Sequence, residues 1–187
     1  MGHSGDVIQE LTTDHREVEE IFTQIEALPT GDGRRKDLAD QATIELIRHS
    51  VAEEMHLYPA VRQYLSDGDA IADREIQDHS EAERTMKELE GCQADDPQFD
   101  QLISRLMREI REHVRDEEHN LFPQLRQAAA PEDLEQLGEK VRRAKKTAPT
   151  RPHPVAPDTP PANKILAPGA GLVDRIRDAL SGRGKTH

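Results

Sequence analysis

Hydrophobic residues recur every three or four positions through most of the first 146 residues, and this period predicts amphipathic helices. Clusters of glycine, proline, serine and aspartate at 29–33, 66–68 and 91–97 divide the pattern. Four long helices are predicted, at 6–28, 35–65, 69–90 and 96–130, and a fifth begins at Pro131. Pro59 and Pro123 fall inside the second and fourth helices and predict a kink in each. Long helices joined by short turns predict an all-α, up-down antiparallel four-helix bundle.

The pattern changes after residue 146. Residues 147–168 contain seven prolines and predict an extended, largely unstructured linker. In residues 169–187, apolar residues at helical spacing predict a short amphipathic tail helix. The predicted organisation is therefore a bundle with a short following helix at 1–146, a Pro-rich linker at 147–168 and a tail helix at 169–187. Three interpretations of the tail stay open: it lies on the bundle, meets a protein partner or touches an anionic surface.

Composition narrows the class of protein. The 187 residues carry a formal net charge of −12, which disfavours nucleic acid as the main partner. The apolar runs are too short for a transmembrane helix, and the first residues lack the pattern of a signal peptide. The chain has one cysteine, Cys92, so it cannot form an internal disulfide. Together these features predict a cytoplasmic protein.

Histidine occupies the middle of the apolar stripe in each of the four long helices. These residues are His15, His49, His79 and His113. In three of the helices a glutamate follows four residues later, on the same face: Glu53, Glu83 and Glu117. A carboxylate in a bundle core is unfavourable unless it is paired or bound to a cation. The seven residues therefore predict a metal site inside the bundle.

The spacing predicts that the four histidines lie in one layer. Residues equally far from the turn of an antiparallel hairpin lie side by side. His15 and His49 have their midpoint at residue 32, and His79 and His113 have theirs at residue 96, both within predicted turns. A shift of 64 residues maps the first pair of histidines onto the second. Two equivalent helical hairpins are therefore expected to pack about a pseudo-two-fold axis.

The same shift maps Glu53-Glu54 onto Glu117-Glu118 and Leu57-Tyr58-Pro59 onto Leu121-Phe122-Pro123. A site built this way is suited to two metal ions, bridged by one carboxylate from each half. Mixed imidazole and carboxylate ligands fit iron or manganese better than metals that select thiolates.

Several neighbouring residues permit more than one interpretation. Glu83 is interpreted as a ligand, with a solvated surface acid as the alternative. His56 lies one turn beyond Glu53 and is expected to hydrogen-bond a ligand rather than to be one. Glu54 and Glu118 are predicted to lie on a solvated face. Tyr58 either approaches the site or packs beside its neighbouring proline.

Four motifs carry a family resemblance over about residues 5–130: Asp14-His15, His49-x-x-x-Glu53-Glu54, Asp78-His79-x-x-x-Glu83, and His113-x-x-x-Glu117-Glu118 followed by Leu121-Phe122-Pro123. With these motifs the chain resembles the hemerythrin-like, or HHE cation-binding, family. The resemblance implies a four-helix bundle around a non-haem, oxygen-bridged di-iron centre with two iron ions. The resemblance implies that Glu53 and Glu117 are the bridging carboxylates. It implies that the terminal ligands are His15, His49, His79 and His113.

The chain departs from the oxygen-carrying members at one position. Those members have a second histidine one turn after the third-helix histidine, where this chain has Glu83. A carboxylate there favours ferric iron and disfavours reversible oxygen carriage. The resemblance then points to the bacterial branch, and implies a protein that binds or reacts with O₂, H₂O₂ or NO in sensing or oxidative-stress response. A peroxidase- or catalase-like enzyme and an iron store are the alternatives.

Overall fold

The structure, a computed structural model, describes residues 5–154 and Asp174. The described chain is all-α, with helices α1 (Val7–Ala27), α2 (Arg34–Ala52), α3 (Tyr58–Tyr64), α4 (Gly68–Glu90), α5 (Phe99–Asp116), α6 (Phe122–Ala128) and α7 (Pro131–Thr147). α2 runs into α3, and α5 into α6, so four long helical rods form a bundle. α1 packs on α2, α4 packs on α5, and α7 lies against α1 and α2. The predicted four-helix bundle with a fifth helix is confirmed.

A π-helical turn lies just before each of the two prolines at which a kink is predicted. The first π turn spans Glu53–Leu57 and the second spans Glu117–Leu121. Each ends two residues before a proline, Pro59 or Pro123. Proline has no N–H to donate to the preceding turn, and a wider turn tolerates this loss. The result is an irregular segment at the same place in both halves of the bundle.

Two apolar clusters form the core. One surrounds Leu11, Tyr58 and Leu125 and receives α7 through Leu134, Leu137 and Val141. The other surrounds Phe22, Phe99 and Leu106 at the opposite end of the bundle. The buried histidines lie between these clusters, so apolar packing on both sides fixes the depth of the polar layer. None of the described helices is both long and apolar enough to cross a membrane.

The described start of the predicted linker follows the surface of the bundle. After α7, the Arg151 guanidinium contacts the Glu90 carboxylate at 2.6 Å, and the backbone N–H of His153 donates to Glu83 at 2.7 Å. Asp174 is fully buried and accepts the backbone N–H groups of Thr150 and Arg151. The remainder of the linker and of the predicted tail helix lies outside the described residues.

Candidate metal centre

The structure brings the four histidines together, one from each long helix. His15 and His49 have their ring centroids 5.0 Å apart, and those of His79 and His113 are 4.8 Å apart. All four side chains are buried. The Nε2 atoms of His79 and His113 face each other at 3.2 Å. Such a close approach of two ring nitrogens requires a proton or a cation between their lone pairs.

Glu53 and Glu117 each lie between two histidines from different hairpins. Glu53 Oε1 is 3.1 Å from His49 Nε2, and its Oε2 is 3.4 Å from His79 Nε2. Glu117 Oε2 is 3.3 Å from His15 Nε2 and 3.6 Å from His113 Nε2. Both glutamates have no solvent exposure. This placement is the one that two carboxylates bridging a pair of metal ions require.

A carboxylate lies against the outward nitrogen of each imidazole. The Nδ1 contacts are 2.9 Å for His15 with Glu118, 3.0 Å for His49 with Asp14, 2.9 Å for His79 with Glu54 and 3.0 Å for His113 with Glu75. A carboxylate that accepts a hydrogen bond from Nδ1–H fixes the ring and leaves Nε2 free to bind a metal. The four Nε2 atoms therefore point into the layer.

The prediction that Glu54 and Glu118 lie on a solvated face is wrong. Glu54 is buried, and both residues hold histidines of the opposite hairpin. Consecutive residues of a regular α-helix point about 100° apart, and that spacing directs the second glutamate outward. Both pairs lie at the start of a π turn, whose wider backbone changes the direction of the side chains that follow. Two adjacent carboxylates can then serve one layer.

The structure does not bring Glu83 into the centre. It is half-buried, one turn beyond His79, and accepts the backbone N–H of His153. The carboxylate of α4 that does reach the layer is Glu75, one turn before His79 and with no solvent exposure. The inference that a carboxylate at position 83 favours ferric iron therefore has no support in the geometry.

The two halves differ where Tyr58 is replaced by its repeat counterpart, Phe122. Tyr58 Oη is 3.1 Å from His79 Nε2 and donates to Glu117 Oε1 at 3.4 Å, so Tyr58 belongs to the site. Phe122 stacks on His15 with ring centroids 5.9 Å apart. His56 is half-buried, lines a groove beside α7 and belongs to none of the groups of potential ligands among the described residues.

Buried charges shift the titration of these groups. Burial opposes protonation of His49, but the carboxylates of Glu53 and Asp14 outweigh it and raise the His49 pKa to about 10. Burial likewise opposes protonation of His79, and Glu53 and Glu54 raise its pKa well above the usual value. For Tyr58, burial and the neighbouring carboxylates raise the pKa, so the phenol keeps its proton.

These residues fit a metal pair. Three groups of potential ligands share members: His15, His49, Glu53 and Glu117; Glu53, His79 and His113; and Glu75, His113 and Glu117. Within the described part of the chain, His15 Nε2, His49 Nε2, both Glu53 oxygens and Glu117 Oε2 are buried, and their contacts of 3.1–3.4 Å within the layer lack the geometry of a hydrogen bond. Leaving such atoms unsatisfied costs about 1–3 kcal/mol each, and a bound cation would remove that cost. The donors are imidazole and carboxylate, which suit iron or manganese.

A small cavity adjoins the layer. Its walls combine the four histidines with apolar side chains, among them Val18, Leu46, Ala82, Ile110 and Val114. Its volume of about 20 Å³ has room for one molecule the size of water. A space of this size suits a ligand of a few atoms.

Known proteins are similar to this chain in sequence. The profile of the Hemerythrin HHE cation binding domain matches residues 6–125. An uncharacterized hemerythrin-like protein of Schizosaccharomyces pombe is 27% identical over 168 residues, which are 89% of this chain and 82% of that protein. A DNA nickase of Nostoc is 30% identical over 71% of this chain, but over only 37% of its own length.

A solved structure supports the fold. The crystal structure of a hemerythrin HHE cation binding domain-containing protein from Mycobacterium kansasii superposes with a TM-score of 0.65. The two sequences are 20% identical, and the match covers 75% of this chain and 85% of that one. With the profile match over residues 6–125, the His–Glu layer identifies the chain as a member of the hemerythrin HHE cation-binding family.

Proposed function

We propose that this chain holds two iron ions in the His–Glu layer and uses them to bind or react with a small oxidant: O₂, H₂O₂ or NO. The observation that carries the proposal is the position of Glu53 and Glu117, each between histidines of both hairpins. Terminal ligation by His15, His49, His79 and His113 accounts for the inward Nε2 atoms. Glu83 is removed from the ligand set, and Glu75 joins the carboxylates that orient the histidines, through His113.

Iron would supply a redox-active Lewis acid at which a small oxidant can bind. The protein residues contribute orientation, size selection and exclusion of water. Asp14, Glu54, Glu75 and Glu118 hold the imidazole rings in place. The apolar walls of the adjoining cavity admit only molecules of a few atoms.

Tyr58 favours a second candidate, a peroxide-consuming enzyme. Its hydroxyl places a proton inside the layer, at hydrogen-bond distance from His79 Nε2. Peroxide reduction consumes protons, and a positioned phenol is one group that can deliver them. A reversible sensor has no such requirement, so the behaviour of Tyr58→Phe separates the two candidates.

The test is metal analysis with optical spectroscopy on protein loaded with Fe²⁺ without oxygen. We expect two irons per chain and a spectral change on adding O₂, H₂O₂ or NO. His113→Ala should lose iron and the response, whereas Glu83→Gln, outside the layer on the same bundle, should keep both. Fewer than about one iron per chain, or the same loss in Glu83→Gln, would contradict the proposal.

The form of the response distinguishes the alternatives. Steady peroxide consumption that falls in Tyr58→Phe indicates an enzyme. A reversible spectral change without turnover indicates sensing, and many more than two irons per chain indicate storage. We make no proposal of DNA nicking from the Nostoc relative, because the net charge of −12 opposes binding to a polyanion. A cytoplasmic location stays a proposal that rests on the single cysteine.

A further inference from the structure

α7 reaches the metal layer through a half-buried lysine, Lys145. Lys145 Nζ contacts Asp14 Oδ1 at 2.5 Å and Glu10 Oε1 at 3.1 Å. The other oxygen of Asp14 lies 3.0 Å from His49 Nδ1. Asp14 therefore joins the ammonium of α7 directly to a histidine of the layer.

Residues of α7 determine how closely this helix packs against α1. Gly138, Arg142 and Lys145 recur at helical spacing, so they share the face turned to α1. A Cβ on Gly138 would lie 2.8 Å from the carbonyl oxygen of Gly5, so only glycine fits there without a backbone shift. The Arg142 guanidinium donates to that same carbonyl at 3.0 Å. These contacts hold the helix at the distance that Lys145 needs.

Lys145 differs from the other cations near the layer in its burial. Arg16 contacts Glu118 at 2.8 Å and Arg74 contacts Glu75 at 3.1 Å, but their side chains are 61% and 55% exposed. The side chain of Lys145 is 17% exposed. Water and salt screen the charge of an exposed arginine, whereas a buried charge acts through a lower dielectric.

We propose that Lys145 is a positioning residue that sets the redox balance of the metal pair through Asp14 and His49. A carboxylate that accepts a hydrogen bond from Nδ1–H makes its imidazole a stronger electron donor to a metal. An ammonium on the same carboxylate withdraws part of that negative charge. A fixed positive charge also disfavours the more highly charged ferric state. Lys145 therefore shifts the pair toward ferrous iron.

The charge of Lys145 is retained at neutral pH. Burial disfavours the ammonium, but Asp14 and Glu10 outweigh it and raise the Lys145 pKa above its usual value. Glu10 is 3% exposed and contacts the lysine without contacting His49 in any described hydrogen bond or ion pair. Changing Glu10 therefore alters the local charge in the direction opposite to a change at Lys145.

The experiment is a spectroelectrochemical titration of the full, iron-loaded chain, with iron content measured on each sample. Lys145→Met should lower the reduction potential, so that the ratio of ferrous to ferric protein at a fixed potential falls by about tenfold. Glu10→Gln should raise that ratio, because the ammonium then acts on Asp14 alone. Lys145→Arg should restore the wild-type value, and Arg16→Met should change it far less than Lys145→Met.

The opposite signs separate electrostatic tuning from a structural role. Loosened packing would move both variants the same way, and potentials that shift in one direction or not at all would overturn the inference. If Lys145→Met fails to fold, the reduction potentials of Glu10→Gln and Lys145→Arg still test the inference. The inference rests on the proposed iron pair: too little iron in the wild type overturns both, whereas two irons with unmoved potentials overturn this inference alone.

Discussion

Loading this centre with Fe²⁺ near pH 7.5 should release about two protons per chain. In the metal-free protein, burial opposes protonation of His49, His79 and His113, but neighbouring carboxylates outweigh it and raise all three pKa values. The His49 pKa reaches about 10. The Nδ1–H of each ring donates to a carboxylate. Metal ions that bind the Nε2 atoms must therefore displace one proton from His49 and the one proton that His79 and His113 share between their facing Nε2 atoms.

The same shifts determine how pH acts on stability and on affinity. A histidine whose pKa is higher in the folded state stabilises the metal-free protein below its unfolded pKa of about 6.5. That contribution disappears as the pH rises through the folded pKa, which for His49 is about 10. Over this window metal-free protein becomes less stable and iron binds more tightly. Two displaced protons correspond to an affinity change of up to roughly 100-fold per pH unit.

Anaerobic titration calorimetry measures the proton count directly. The observed heat is plotted against the ionisation enthalpy of the buffer at constant pH, and the slope is the number of protons released. Glu83→Gln, which alters a carboxylate outside the layer, should give the wild-type slope. A slope of zero, with affinity constant between pH 6.5 and 8.5, would show that the imidazoles are neutral before metal binds, and the electrostatic reasoning would be wrong.

Three further outcomes are expected. Glu75→Gln should weaken iron binding about 10–100-fold in chelator competition, because His113 loses the carboxylate beside its Nδ1. The control variant Glu83→Gln should bind iron as tightly as the wild type. Equal affinities of the two variants would refute the role of Glu75. Removing iron with a chelator should lower the melting temperature measured by scanning calorimetry. Iron at 100 times its Kd adds about 2.7 kcal/mol to the free energy of unfolding, which corresponds to roughly 5–10 °C. An unchanged melting temperature would contradict the link between iron binding and folding. Leu106→Ala, at a fully buried position, should cost about 2–5 kcal/mol in urea unfolding, and a loss below about 1 kcal/mol would argue against tight packing there.

The bundle could be predicted because the helical spacing of apolar residues stops at the positions where helix-breaking residues occur. Every long helix carries an apolar stripe, and every turn contains residues that break helices. The equal distances of His15 and His49 from one turn, and of His79 and His113 from another, placed all four in one layer. The structure shows that layer, with Glu53 and Glu117 inside it.

The carboxylates around the layer were harder to predict. Regular helical geometry directs Glu54 and Glu118 outward, and sequence periodicity does not reveal the π turns that redirect them. Glu75 maps by the internal repeat onto Leu11, so the repeat conceals it. Yet Glu75 and His113 have their midpoint at residue 94, in the turn between α4 and α5, and this signal could have identified the pair. Lys145 lies on α7, beyond the repeat, where no counterpart exists to compare.

The crossed placement of the two central glutamates has a consequence for the abundance of the protein. Glu53 of the first hairpin reaches His79 of the second, and Glu117 of the second reaches His15 of the first. Metal bound there ties the hairpins together, so its loss would let them separate and expose cleavable backbone. Proteases act on such opened states. Scarcity of iron would then shorten the lifetime of the protein, and its level would follow the supply of its own cofactor without any change in gene expression.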